Sequence, residues 1–134
     1  MGKINIVVMG RKTWESIYEI PLRGRLNIVI TSHGGQHPNV VFATSLREAL
    51  KVAASNAMVH KVFVIGGTRL YDEALQHPKC MKVHMTYIHK SNIPADTFFP
   101  MKTLGRYFEV SERTPIMKDE NNMRYSFFTY ERKK

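Results

Sequence analysis

Only one cysteine, Cys80, occurs in 134 residues, and a lone thiol closes no internal disulfide. That scarcity fits a reducing compartment, and we expect a cytoplasmic protein. No histidine sits beside Cys80 in a catalytic pattern, so it is not a nucleophile candidate. Hydrophobic runs approaching the roughly 20 residues needed to cross a membrane are also missing. The apolar stretch at residues 4–9 is too short for a secretory leader and reads as part of the fold. Acidic residues are few, 11 against 20 lysines and arginines, leaving a net charge of +9. The basic side chains are scattered rather than ranked in a stripe, so nucleic-acid binding is not the expected use, although a weak affinity for polyanions stays open. A phosphorylated or carboxylated ligand would use the same charge. Repeats, low-complexity tracts and linkers are absent, and 134 residues suffice for one domain with its own core, assigned to residues 1–134.

What is present alternates short apolar strands with short helices. Residues 4–9 form a β-branched run, as expected of a strand covered on both faces of a partly parallel sheet. A short helix over 11–17 carries Trp14, a turn with Pro21 and Gly24 follows, and a second buried strand is expected at 26–31. After a short strand at 40–42, Ser45 and Glu48 give a capping-box pattern ahead of apolar residues at helical spacing. A further buried strand is expected at 61–65 and a helix at 68–76. From residue 82 the pattern turns to strands at 82–89, 107–113 and 124–130, the last two joined by a polar turn at 118–122. The expected fold is α/β: a mixed, mostly parallel central sheet flanked by helices, with a C-terminal antiparallel hairpin.

Two strand-to-helix turns share one grammar: Val8-Met9-Gly10-Arg11-Lys12-Thr13 and Val64-Ile65-Gly66-Gly67-Thr68-Arg69. A helix start presents unpaired N–H groups and partial positive charge, glycine lets a ligand approach the backbone, and Thr, Arg and Lys add donors. Two such turns in one sheet suit a ligand with several phosphates, such as a dinucleotide. Glycine after a strand is also common in α/β turns that bind nothing, and neither turn is a Rossmann or P-loop motif. His33 and His37 are four apart, but glycines separate them and no third ligand is evident, so we read them as exposed loop residues with no metal site.

At residues 9–17, Met-Gly-Arg-Lys-Thr-Trp-Glu-Ser-Ile, the sequence resembles the dihydrofolate reductase family. Three further segments recur in that family's order: Pro21-Leu22-Arg23-Gly24-Arg25-Leu26-Asn27-Ile28-Val29, Val64-Ile65-Gly66-Gly67-Thr68-Arg69-Leu70-Tyr71 and Asp96-Thr97-Phe98-Phe99-Pro100. The resemblance implies reduction of 7,8-dihydrofolate to tetrahydrofolate in one-carbon metabolism, with NADPH as cofactor. It implies that Gly10, Arg11, Lys12 and Thr13 lie along the cofactor's phosphates, with Ser32 at the 2′-phosphate. It further implies that Gly66, Gly67, Thr68, Arg69 and Leu70 form a second cofactor turn around a cis Gly-Gly bond, with Tyr71 near the nicotinamide. For substrate it implies Arg25 as the bidentate clamp on the glutamate α-carboxylate, Ser16, Ile17 and Leu22 along the aminobenzoyl passage, Ile65 offering its carbonyl to the pterin, and Thr97 in the pterin's hydrogen-bond network. Read on their own, Ile17, Leu22, Ile65 and Thr97 are plain core or turn residues.

The family's first strand, active-site loop and acidic helix have no counterpart before Met9, so we expect an N-terminally truncated member without the acid that supports N5 protonation. Glu15 and Asp96 match non-catalytic family positions, and no catalytic residue is assigned. The related reductase of riboflavin biosynthesis shares fold and cofactor, but the Pro-Leu-Arg-Gly-Arg and Asp-Thr-Phe-Phe-Pro segments speak against it. The alternative from another class is a non-catalytic truncated form that retains part of the NADPH and folate sites and associates with RNA. A monomer is expected.

Overall fold

The computed structural model describes residues 3–88 and 99–134, and the chain divides into two compact units, Met1–Ala74 and Leu75–Lys134. The first unit contains β1 (Ile4–Gly10), α1 (Arg11–Ser16), β2 (Arg25–Ile30), β3 (Val40–Ala43), α2 (Leu46–Ala54) and β4 (Val59–Val64). Helix α3 (Thr68–Leu75) ends it and carries one residue into the second unit. The four strands form a parallel sheet in the order β3-β2-β1-β4, with α1 in the connection from β1 to β2 and α2 in that from β3 to β4.

Alternation along β1 and β2 sends side chains to two cores. Ile6, Val8 and Ile28 meet Leu46, Ala49 and Ala53 of α2 and Leu70 and Ala74 of α3 on one face. Val7, Met9 and Val29 meet Trp14 of α1 on the other. The strand interiors are apolar on both faces because both are covered, and complete burial of a side chain such as Ile6 or Ile28 is worth about 2 kcal/mol. β4 differs from the buried strand expected at 61–65. It lies at the end of the sheet order, pairing only β1 among the described residues, and Val62 and Phe63 are each 37% exposed.

The capping pattern at Ser45 forms, with a shift of one residue in its second half. The Ser45 hydroxyl accepts from the Glu48 N–H at 3.0 Å, while the Glu48 carboxylate accepts from the N–H and hydroxyl of Thr44 rather than from Ser45. Those two bonds, the hydroxyl's first, hold the Glu48 carboxyl below its ordinary pKa.

The second unit contains β5 (Lys82–Ile88), α4 (Met101–Tyr107), β6 (Phe108–Arg113), β7 (Met117–Lys118) and β8 (Arg124–Arg132). The strands form an antiparallel sheet in which β8 pairs with β5, β6 and β7. The expected polar turn closes the hairpin: the Asp119 carboxylate accepts from the N–H groups of Asn121 and Met123, and Asn122 adopts φ 63°. The α/β class is as anticipated, with the parallel and antiparallel pairings kept in separate sheets. Helix α4 was not anticipated, because it has no side-chain N-cap and carries Gly105. Burial of Leu104 with Leu75, Phe108 and Tyr130 holds it in place. Among the described residues no helix is long and apolar enough to cross a membrane.

Candidate functional site

The carboxyl ends of β2, β1 and β4 lie side by side, since each strand is parallel to its neighbour. Brought there in one row are Ser32 after β2, Gly10 at the end of β1 and Gly66-Gly67 after β4. The edge of a parallel sheet beyond its carboxyl ends is where α/β proteins bind ligands. The two glycine turns also interlock: the Gly10 N–H donates to the Gly66 carbonyl at 2.8 Å, and the Ile65 N–H donates to the Val8 carbonyl at 3.0 Å.

Glycine at 66 is dictated by conformation and by space. Its φ is +120°, and a Cβ there would stand 3.3 Å from the Thr13 hydroxyl and 3.5 Å from the Tyr71 ring and phenol. The peptide bond between Gly66 and Gly67 is cis, as the resemblance implied. Thr13, from the first turn, and Tyr71, from the first turns of α3, thus converge on Gly66. Burial pushes the Tyr71 phenol above its ordinary pKa, so it is neutral at physiological pH. Thr68 and Arg69 open α3, Leu70 is buried under it, and the Tyr71 N–H donates to the Gly67 carbonyl at 2.9 Å.

On the other side, Arg11 and Lys12 begin α1 and are exposed. Arg11 approaches Glu15 at 3.9 Å in a half-exposed pair, too weak to hold the guanidinium from a phosphate. A cavity of about 210 Å3 opens beside it, lined among others by Trp14, Thr31, His33 and His37. Thr31 and His33 flank Ser32, and the Thr31 hydroxyl accepts from the His33 N–H at 3.2 Å. Sequence reading passed over Thr31 and took His33 only as an exposed loop histidine; their position beside Ser32 was the available signal for both. His37 is engaged locally, its Nδ1 accepting from the Asn39 N–H at 3.2 Å and its ring meeting Trp14 edge-on at 5.8 Å.

The residues implied for substrate gather on the α1 face of the sheet. Ile17, Leu22 and Ile65 all pack against the cluster of Val7, Met9, Trp14 and Val29. Arg25 begins β2, is exposed, and stands two residues before Asn27, hence on the same strand face. Ser16 turns its hydroxyl back onto its own helix, donating to the Thr13 carbonyl at 2.6 Å. Thr97 lies outside the described residues. Asn27, wholly buried in β2, escaped the sequence reading; a carboxamide inside an otherwise β-branched run was the signal for it.

Comparison with known proteins agrees with this geometry. The family model described as dihydrofolate reductase matches residues 1–132. The chain is 45% identical over 141 residues to the bifunctional dihydrofolate reductase-thymidylate synthase of Glycine max, covering 98% of this chain and 26% of that protein. It is 35% identical over 142 residues to the dihydrofolate reductase of Mus musculus, covering 98% of this chain and 75% of that one. The chain therefore spans about a quarter of the length of the bifunctional relatives. Dihydrofolate reductase from Enterococcus faecalis, solved with NADP(H) and RAB-propyl, superposes with a TM-score of 0.81 at 32% identity, covering 98% of this chain and 77% of that one. The chain belongs to the dihydrofolate reductase family.

Proposed function

We propose that this chain binds NADPH along the carboxyl edge of its parallel sheet and a folate on the α1 face beside it, in the service of reducing 7,8-dihydrofolate to tetrahydrofolate. The observation that carries the reading is the junction of the two glycine turns, where Gly10 and Gly66 are hydrogen-bonded and Thr13 and Tyr71 converge on a glycine whose φ of +120° side chains rarely adopt. A backbone cleared of side chains beside hydroxyl and guanidinium donors is what close approach of a phosphorylated dinucleotide requires.

When bound, NADPH would supply a hydride for pterin C6, and the proton that N5 takes up would come from solvent water, since no acid of this chain is assigned to that step. The chain's own residues bind and orient. Gly10, its N–H held by the Gly66 carbonyl, lets the phosphate approach the backbone while Lys12 and Thr13 donate to it on one turn, and Gly67, Thr68 and Arg69 donate on the other. Arg11 and Ser32 recognise the 2′-phosphate, with Thr31 and His33 beside them. Tyr71, half-buried and neutral, packs near the nicotinamide. Ile17 and Leu22 give the folate an apolar wall, Ser16 borders it, the Ile65 carbonyl accepts from the pterin, and Thr97 joins the pterin's network. Arg25 meets the α-carboxylate through its planar fork, which a lysine would not reproduce. Small-molecule ligands, a monomeric state and a cytoplasmic setting complete the reading.

Arg25→Leu tests it. Loss of a bidentate charged contact should weaken a glutamate-tailed antifolate by about 30- to 100-fold and leave NADPH affinity unchanged, both measured by fluorescence titration. Equal loss of both ligands would overturn the assignment of Arg25. Oxidation of NADPH with dihydrofolate, followed at 134-residue length, tests the reaction itself; binding of both ligands without turnover would support the non-catalytic alternative.

A further inference from the structure

We propose that Asn27 is the positioning residue of the folate-tail clamp, a buried amide that sets Leu22 and Arg25 at a fixed spacing before the ligand arrives; this rests on the reading of Arg25 given above. Asn27 is fully buried in β2, between Val7 of β1 and Val40 of β3. A carboxamide in such a place is costly unless its donors and acceptor are met. They are met by one loop. The side-chain oxygen accepts from the Leu22 N–H at 2.9 Å, and the side-chain nitrogen donates to the Leu22 carbonyl at 2.9 Å and the Arg25 carbonyl at 3.1 Å.

The amide therefore pairs with both backbone groups of Leu22, as a neighbouring strand would, in a segment outside any strand. The loop between α1 and β2 needs such a pin. Tyr18, Glu19 and Gly24 adopt φ of 59°, 54° and 72°, and Tyr18 and Ile20 are 86% and 63% exposed. Its first half is tied back to α1, with the N–H groups of Tyr18, Glu19 and Ile20 donating to the carbonyls of Glu15, Trp14 and Ile17. Its second half turns at Gly24 and is held through Asn27. Leu22, packed against the Trp14 cluster, and the backbone from which the Arg25 side chain departs are thus fixed by one amide. Ordering this loop in advance removes an entropic cost that binding would otherwise bear, and the gain falls on the part of the ligand that Leu22 and Arg25 meet.

The experiment compares two ligands on the 134-residue chain: folate, with its glutamate tail, and 2,4-diaminopteridine, which lacks one. Asn27→Ser keeps a small polar group that cannot reach Leu22 and Arg25 together. We expect the advantage of the tailed ligand over the tail-less one to shrink by about tenfold, with the affinities for NADPH and diaminopteridine unchanged. Combined with Arg25→Leu, the second substitution should cost the tail little more, because both act on one contact. A parallel weakening of both ligands and NADPH would make Asn27 a core residue only and overturn the proposal. If Arg25→Leu removes the tail advantage while Asn27→Ser preserves it, positioning fails and the clamp stands. If Arg25→Leu also preserves it, the clamp fails and the proposal with it. Hydrogen exchange on the unaltered protein gives a test independent of any variant's folding: the Leu22 amide should exchange at least tenfold more slowly than those of Arg23 and Gly24, and equal rates would overturn the pin.

Discussion

Glycine has opposite meanings in the two units of this chain. In residues 3–74 the site is made by backbone: Gly10 donates to Gly66, a strand end meets a strand end, and a missing Cβ leaves the space on which Thr13 and Tyr71 converge. In residues 75–134 large side chains carry the structure. Arg132 donates to the carbonyls of Leu75, His77 and Cys80 while its guanidinium lies 5.4 Å from the Tyr107 ring centre and 4.9 Å from that of Phe108. Tyr87 and Tyr130 share a hydrogen bond beside Phe128, and burial together with that bond pushes the Tyr130 phenol up to about 12. A ligand-binding edge needs backbone that a ligand can approach closely, which glycine allows, whereas a sheet with no described site residue can fill itself with rings. The comparison predicts that side-chain changes will act on binding in the first unit and on stability in the second.

The largest effect is expected at Gly66. Gly66→Ala places a side chain at φ +120° and against Thr13, a conformation costing about 1–3 kcal/mol in the backbone alone. Relief requires the turn to move, and the turn is the proposed cofactor site. NADPH affinity should fall by about 100-fold, read by fluorescence titration on protein whose circular dichroism shows it folded. Retention of wild-type affinity would remove Gly66 from the site and break the comparison at its strongest point.

Arg132→Met is the reverse experiment. The variant keeps an unbranched apolar chain but loses three hydrogen bonds to carbonyls, one of them that of Leu75 at the end of α3, and the cationic contact with two rings. Charged donors to carbonyls and cation–π contacts of this kind sum to about 2–4 kcal/mol when partly buried. Urea unfolding should show that loss, with NADPH affinity unaltered under conditions where the variant is folded. A weakened cofactor with unchanged unfolding free energy would contradict the division of labour.

How much of this was legible in the sequence follows the same division. The glycine turns could be read because each is local: strand, glycine, hydroxyl and base occur within six residues, and the structure adds only that the two turns touch. The Ser45 cap and the Asp119 turn are local too. Asn27 was not legible, since its partners Leu22 and Arg25 become partners only when the loop folds back over β2. The exposure of Val62 and Phe63 was hidden for a related reason, because an apolar run looks the same in a central strand and at a sheet's end. Helix α4 failed on propensity: Met101 to Tyr107 includes Gly105 and no capping side chain, and tertiary burial of Leu104 overrides both.

Gly105 gives the smallest and most discriminating prediction. It sits inside α4, its φ is not in the positive range, and a Cβ built there meets nothing within 4 Å. The hydrogen bond from the Lys133 ammonium to the Gly105 carbonyl at 2.9 Å involves backbone that alanine retains. Glycine here is a cost without a visible return, so Gly105→Ala should raise stability by about 0.5–1 kcal/mol through reduced freedom of the unfolded chain. The same change that disables one unit at Gly66 should strengthen the other. If Gly105→Ala instead destabilises the protein in urea, α4 holds a contact or a conformational requirement that its open surroundings do not reveal, and the second unit's glycine joins the first unit's as a functional one.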